Sequence, residues 1–166
     1  MKRLFAILIA FFLCSCSMED TPDEVLPYQR LPMTAEADFS CEAGDGRVRI
    51  TLESADNYTV EYLSPEIMRG VSYESAGGRS YICFPGSRIE TGESDTVRGS
   101  LASAGLFMLD PSSCSEPVYK DGMYDVSAVS DGITALVTVK DGMPQRIEGT
   151  VAGFRCTFTN IVITYG

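Results

Sequence analysis

Over most of this chain the hydrophobic positions recur with a period near two, the spacing that places alternate side chains on one face of a β-strand. Phe39 and Cys41 alternate with Asp38, Ser40 and Glu42, and Val48, Ile50 and Leu52 alternate with Arg47, Arg49, Thr51 and Glu53. Tyr58, Val60 and Tyr62 alternate with Thr59 and Glu61. Ile133, Ala135, Val137 and Val139 alternate with Thr134, Thr138 and Lys140, Leu136 being the exception. Ile147 and Val151, and then Phe154, Cys156 and Phe158, continue the pattern. One apolar and one polar face per strand is how antiparallel sheets read when one side meets water. Asp45-Gly46, Asp131-Gly132, Asp141-Gly142 and Gly77-Gly78 fall between such runs and suit the positive φ of tight hairpins. The pattern predicts about nine strands joined mainly as a meander. The Asp-Gly pairs at 121, 131 and 141 are hairpin spacing and not a repeat, since the strands between them are dissimilar.

One segment changes period. From Thr96 to Leu109 the apolar positions Val97, Leu101, Ala104 and Met108 fall at helical spacing, widened by Leu106, Phe107 and Leu109. Asp95 is placed to cap its start, and Asp110-Pro111 to stop it. A short helix between two β-meanders buries its stripe against the apolar face of the sheet. The expected fold is mainly β: a curved antiparallel sheet, or incomplete β-barrel, with one short helix on its concave apolar face.

The N-terminus follows other rules. Lys2 and Arg3 precede an unbroken apolar run from Leu4 to Leu13, too short for the roughly 20 residues that span a bilayer and suited to the hydrophobic region of a signal peptide. Leu13-Cys14-Ser15-Cys16 resembles the lipobox of bacterial lipoproteins, with an aliphatic residue three positions before the cysteine and a small one immediately before it. Cys14 fits less well, because it follows Leu13 where a small residue is expected. The resemblance implies a lipoprotein signal peptide over residues 1–15 and a Cys16 that carries acyl chains such as palmitate. It also implies an extracytoplasmic protein held on a bacterial membrane. Ser17 to Met33, with Glu19, Asp20, Asp23, Glu24 and three prolines, reads as an extended flexible tether, so 16–33 links the anchor to a single β-rich domain over 34–166.

Composition narrows the chemistry. Lys and Arg total 13 against 23 Asp and Glu, a net charge of −10 over 166 residues. That balance argues against a nucleic-acid partner, which requires clustered cations to displace counterions. It also means that anionic headgroups repel the surface, so the lipid on Cys16 must do the anchoring. With no histidine, Ser-His and Cys-His nucleophile pairs and histidine-ligated metals are excluded. No carboxylate pair stands out, no Ser-x-x-Lys pattern occurs, and no enzyme is expected. Asp121, Asp125, Asp131 and Asp141 lack calcium-loop spacing. The cysteines lack zinc spacing, so neither metal nor cofactor is expected.

The expected shape resembles the LolA/LolB-like lipoprotein-carrier superfamily. Tyr58-Thr59-Val60, Leu63-Ser64-Pro65-Glu66 and Gly70-Val71 are similar to that family's strand, turn and returning strand. Asp141-Gly142-Met143-Pro144 is similar to its late turn. The resemblance implies a concave face that holds acyl chains. Two departures stand out. There is no inward-pointing arginine of the kind such carriers use in release, and a chain anchored at Cys16 is no diffusing carrier. A receptor-like, lipid-sensing or partner-binding role follows.

Candidate residues for a hydrophobic cavity are Tyr58, Val60, Tyr62, Tyr73 and Tyr81 on strands and Leu101, Phe107 and Met108 on the helix; the alternative is that they are plain core. Cys41, Cys83, Cys114 and Cys156 can form two disulfides in three connectivities that sequence does not separate. The alternative is that Cys41, Cys83 and Cys156 are inward-facing core thiols. The expected function is binding of an acyl chain, lipid or lipoprotein tail in the curved sheet. The rival is a non-enzymatic envelope scaffolding module with a filled core, docking on another envelope protein. The volume and lining of the interior separate the two.

Overall fold

The alternating runs become eleven strands: β1 (Met33–Cys41), β2 (Gly44–Leu52), β3 (Tyr58–Ser64), β4 (Ser72–Ala76), β5 (Arg79–Phe84), β6 (Ser87–Thr91), β7 (Val118–Lys120), β8 (Met123–Ser130), β9 (Ile133–Lys140), β10 (Met143–Val151) and β11 (Phe154–Tyr165). This computed structural model describes residues 20–42, 44–91, 100, 103–130, 132–151 and 153–166. The strands form one antiparallel sheet in the order β6-β5-β4-β3-β2-β1-β11-β10-β9-β8-β7. Two meanders therefore meet where the first strand pairs with the last, Met33 opposite Tyr165 at one end and Cys41 opposite Cys156 at the other. Among the described residues β6 and β7 are the two edges and do not pair, so the sheet is open and not a closed barrel. These two strands bring the count above nine. β6 holds one large apolar residue, Ile89, and β7 is three residues long, so neither alternates enough to read.

The hairpin chemistry is mostly as the sequence predicts. Asp121 and Gly122 have φ of 52° and 81°, and Asp141 and Gly142 have 52° and 74°, the paired left-handed conformation of a two-residue hairpin. Asp131 lies outside the described residues. Asp45-Gly46 is a correction. Asp45 pairs with Ser40 and Gly46 with Phe39, inside β2, and the turn falls earlier. Glycine is needed at 46 for space, because a Cβ there would meet the Phe39 ring at 2.7 Å and the Ser64 carbonyl.

Alternation decides the two faces. Ala35, Val48, Ile50, Val60, Val126, Val137, Ile147 and Phe158 point inward and are buried in one core. The outer face of β1–β3 carries an ion ladder. Arg49 bonds Glu36 at 2.8 Å and Glu61 at 3.0 Å, and Arg47 bonds Asp38 at 3.0 Å.

Two segments cover the concave face. Residue 100 and residues 103–105 are helical, in the stretch where period 3.6 predicts a helix; Val97 and Leu101 lie outside the described residues. Ala104, Leu106, Phe107 and Leu109 are buried, and the Phe107 ring meets Phe158 edge-on with centroids 5.2 Å apart.

The second cover corrects the expected tether. Residues 20–32 form a strap that lies against the core through Val25, Leu26 and Tyr28. Pro22–Val25 forms a helical turn whose Glu24 carboxylate accepts the Thr21 N–H at 2.9 Å. Val25, Leu26 and Tyr28 are fully buried among the core residues. Each such side chain contributes about 1.5–3 kcal/mol relative to exposure. The Gln29 amide, turned to satisfy both groups, donates to the Leu109 carbonyl at 3.0 Å and accepts from its N–H at 3.1 Å. Tyr165 donates its hydroxyl to the Tyr28 carbonyl at 3.0 Å. Prolines and acids dominate the composition here, but the three apolar side chains decide the placement.

Candidate functional site

Among the described residues, part of the concave face lines a cavity. The buried residues of the helical segment and of the strap belong to the main core, while Tyr73 of β4 belongs to a separate small cluster with Tyr58, Tyr62, Val71 and Ile82. Between the two clusters lies this cavity, of about 370 Å³. Its floor is Phe39 of β1, Val48 of β2, Val60 and Tyr62 of β3, and Phe158 of β11. Met68, on the 3-10 turn Glu66–Met68, and Tyr73 close one side, and Ser100 and Ser103 of the helical segment form the other. Gly44, Asp45 and the partly exposed Phe154 stand at the mouth. Cys41 and Cys156 face each other in the wall. The lining is aromatic and aliphatic with a few polar groups at one edge, the usual make-up of sites for apolar small molecules, and the volume falls within their usual range.

Aromatic packing shapes the floor. Phe39 meets Tyr62 edge-on at 5.6 Å, and Tyr62 meets Tyr73 at 6.0 Å. The Tyr62 hydroxyl lies 3.3 Å from Ser100 Oγ, tying β3 to the helical segment across the opening. Burial pushes the Tyr62 hydroxyl above its ordinary range, with the Ser100 bond opposing. Burial, with Cys41 beside it, pushes the Cys156 thiol up to about 11. Both groups are therefore neutral near pH 7, and neither is an activated nucleophile.

Of the predicted cavity residues, the fold brings Val60, Tyr62 and Tyr73 together in the wall. Tyr58 packs behind them, partly buried against both clusters. Phe107 is sealed in the core, with Met108 partly buried against it. Leu101 lies outside the described residues. Tyr81 points the other way. Its ring lies under the Arg88 guanidinium at 3.5 Å, which also bonds Glu74 at 2.7 Å on the outer face. Cys83 shares that outward phase and donates to Glu74 at 3.6 Å, correcting the inward placement read from sequence. Cys114 bridges to Ala128 of β8. All four described cysteines are free thiols.

Phe39, Val48, Met68, Phe154 and Phe158 complete the lining and were not singled out by sequence. Phe39, Val48 and Phe158 carry the inward phase in their strands, but joining them to Tyr62 requires the β1–β11 pairing, which no local pattern encodes. A second, wider depression of about 620 Å³ is lined by polar groups including Asp110, Ser112, Ser113, Ser130 and Thr134. Among the described residues no three His, Cys, Asp or Glu gather where a metal ion could sit.

No family model matches the chain, and no curated protein matches it. Solved structures with a similar course exist. One is an uncharacterized conserved protein from Thermus thermophilus, 12% identical with a TM-score of 0.47, covering 87% of this chain and 88% of that one. Another is a LolA superfamily protein from Nitrosomonas europaea, 11% identical with a TM-score of 0.45, covering 89% and 94%. A third comes from the CwlD amidase of Clostridioides difficile in complex with the GerS lipoprotein, 18% identical with a TM-score of 0.41, covering 80% and 87%. These likenesses concern the path of the chain and say nothing about a ligand.

Proposed function

We propose that this protein is a non-enzymatic, extracytoplasmic lipoprotein, anchored through Cys16, that holds a single hydrophobic chain in the cavity between β1–β4, β11 and the helical segment. The ligand class is an acyl chain, a lipid tail or the tail of another lipoprotein. The observation that carries this reading is the cavity of about 370 Å³, lined mainly by aromatic and aliphatic side chains. Phe39, Val60, Tyr62 and Tyr73 offer a ligand apolar contact but no charge. Each methylene taken out of water contributes about 0.8 kcal/mol before ordering costs. Asp45 suits a polar head left at the mouth. The neutral state of Tyr62 and Cys156 favours binding over catalysis.

One observation favours the scaffolding alternative. Leu106, Phe107, Leu109, Val25, Leu26 and Tyr28 fill much of the face that a carrier would keep empty. A single experiment separates the two. The chain from Ser17 onward, purified without detergent from a membrane-containing host, is analysed by native mass spectrometry and titrated with a fluorescent fatty acid. Co-purifying lipid and saturable, displaceable fluorescence support the ligand-binding reading. Empty protein with no displaceable signal leaves the scaffolding role.

A further inference from the structure

We propose that Cys41 and Cys156 form a cross-strand disulfide that fastens the seam between the two meanders beside the cavity. The two residues close the β1–β11 register, following Asp38 opposite Thr159, Phe39 opposite Phe158 and Ser40 opposite Thr157. Directly opposed residues of an antiparallel pair have Cα atoms about 4.5–5.5 Å apart, within the roughly 4.4–6.8 Å that a disulfide spans. Both side chains point to the concave face and both line the cavity. The Cys41 thiol also donates to the Gly44 carbonyl at 3.3 Å.

The topology removes the rival pairings. Cys83 lies on β5, facing outward beside Glu74, and Cys114 is bridged to β8. Seven strands separate β5 from β8 in the sheet. Cys83 and Cys114 accordingly stay as thiols. The seam is where a covalent tie matters most, because the β1–β11 ladder is the one place in the described sheet where the two meanders pair.

Formation follows ordinary thiol–disulfide exchange. One cysteine, as thiolate, attacks the disulfide of an oxidised thiol–disulfide oxidoreductase or of oxidised glutathione, forming a mixed disulfide and expelling one thiolate. The second cysteine, deprotonated, attacks the protein-side sulfur of that mixed disulfide and expels the second thiolate. The Cys41–Cys156 pair loses two electrons and two protons, and the oxidant takes them up as two thiols. None of this depends on what occupies the cavity.

The test uses the protein as cells make it, incubated with oxidised glutathione at neutral pH, alkylated, digested with trypsin and mapped without reduction. The expected result is one cross-linked species joining the Cys41 and Cys156 peptides, two hydrogens lighter than their sum, with Cys83 and Cys114 alkylated. The thermal midpoint should rise on oxidation. Cys41→Ser and Cys156→Ser should each abolish the cross-link and the rise, and Cys83→Ser should leave both. Separate alkylation or glutathionylation of Cys41 and Cys156, or a cross-link from either to another cysteine, overturns the proposal. So does a thermal rise that survives in Cys41→Ser.

Discussion

Gly149 shows how tightly single positions are held. It lies in β10 beneath the helical segment, where an added Cβ would run into Leu106 and come 2.9 Å from the Thr134 carbonyl. Backbone on one side and a fully buried leucine on the other leave little room to yield. Gly149→Ala should therefore cost about 1–3 kcal/mol through overpacking, read as a lower urea midpoint with an unchanged slope. Leu26 tests the opposite defect. It is 4% exposed in the strap, and Leu26→Ala should cost about 2–5 kcal/mol through transfer and cavity terms. A loss near zero in calorimetry would mean that the segment does not belong to the core.

Among the elements, the ladder across β1, β2 and β3 sets an acid limb. A hydrogen bond from Arg49, aided by Arg47, holds the Glu36 carboxyl below its ordinary 4.5. The Asn160 amide, with Arg47, holds Asp38 below 3.8. A depressed folded-state value stabilises the fold above the ordinary carboxylate range, and the gain is lost as pH falls through the depressed value. These partly exposed pairs are each worth less than about 1 kcal/mol. Arg49→Gln should lower the urea midpoint at pH 7 and flatten its decline below pH 4.5. An unchanged acid limb in that variant would show that the ladder contributes nothing. The strap is the second element under test. Deleting the residues before Met33 strips Val25, Leu26 and Tyr28 from the concave face, so the truncated chain should bind a hydrophobic dye and lose its sharp thermal transition.

At the scale of the molecule, the apolar cavity lies where β1–β4 and β11 meet Ser100 and Ser103 of the helical segment. Met68 lines the cavity from a 3-10 turn, outside the ladder of strands. Met68→Trp should fill part of the cavity and weaken fluorescent fatty-acid binding about tenfold, close to 1.4 kcal/mol, with unchanged far-ultraviolet circular dichroism. Undiminished binding would place the ligand elsewhere.

Period-two alternation from Phe39 to Phe158 and the Asp-Gly pairs at 121 and 141 were enough to determine a mainly β chain with one greasy side, because side-chain phase and positive φ are local properties. Of the candidates named from those signals, Val60, Tyr62 and Tyr73 come together in one wall. The signals failed where placement depends on distant partners. Tyr81 and Cys83 are as hydrophobic as their inward neighbours but sit one residue out of phase with Ile82, and only pairing with β4 reveals it. The Pro-rich strap reads as solvated until a concave face is present to receive its three apolar side chains. The closing of β1 on β11, which creates both the cavity wall and the Cys41–Cys156 pair, joins residues more than a hundred positions apart. Contacts of that separation are decided by burial over the whole sheet, and no stretch of sequence carries them alone.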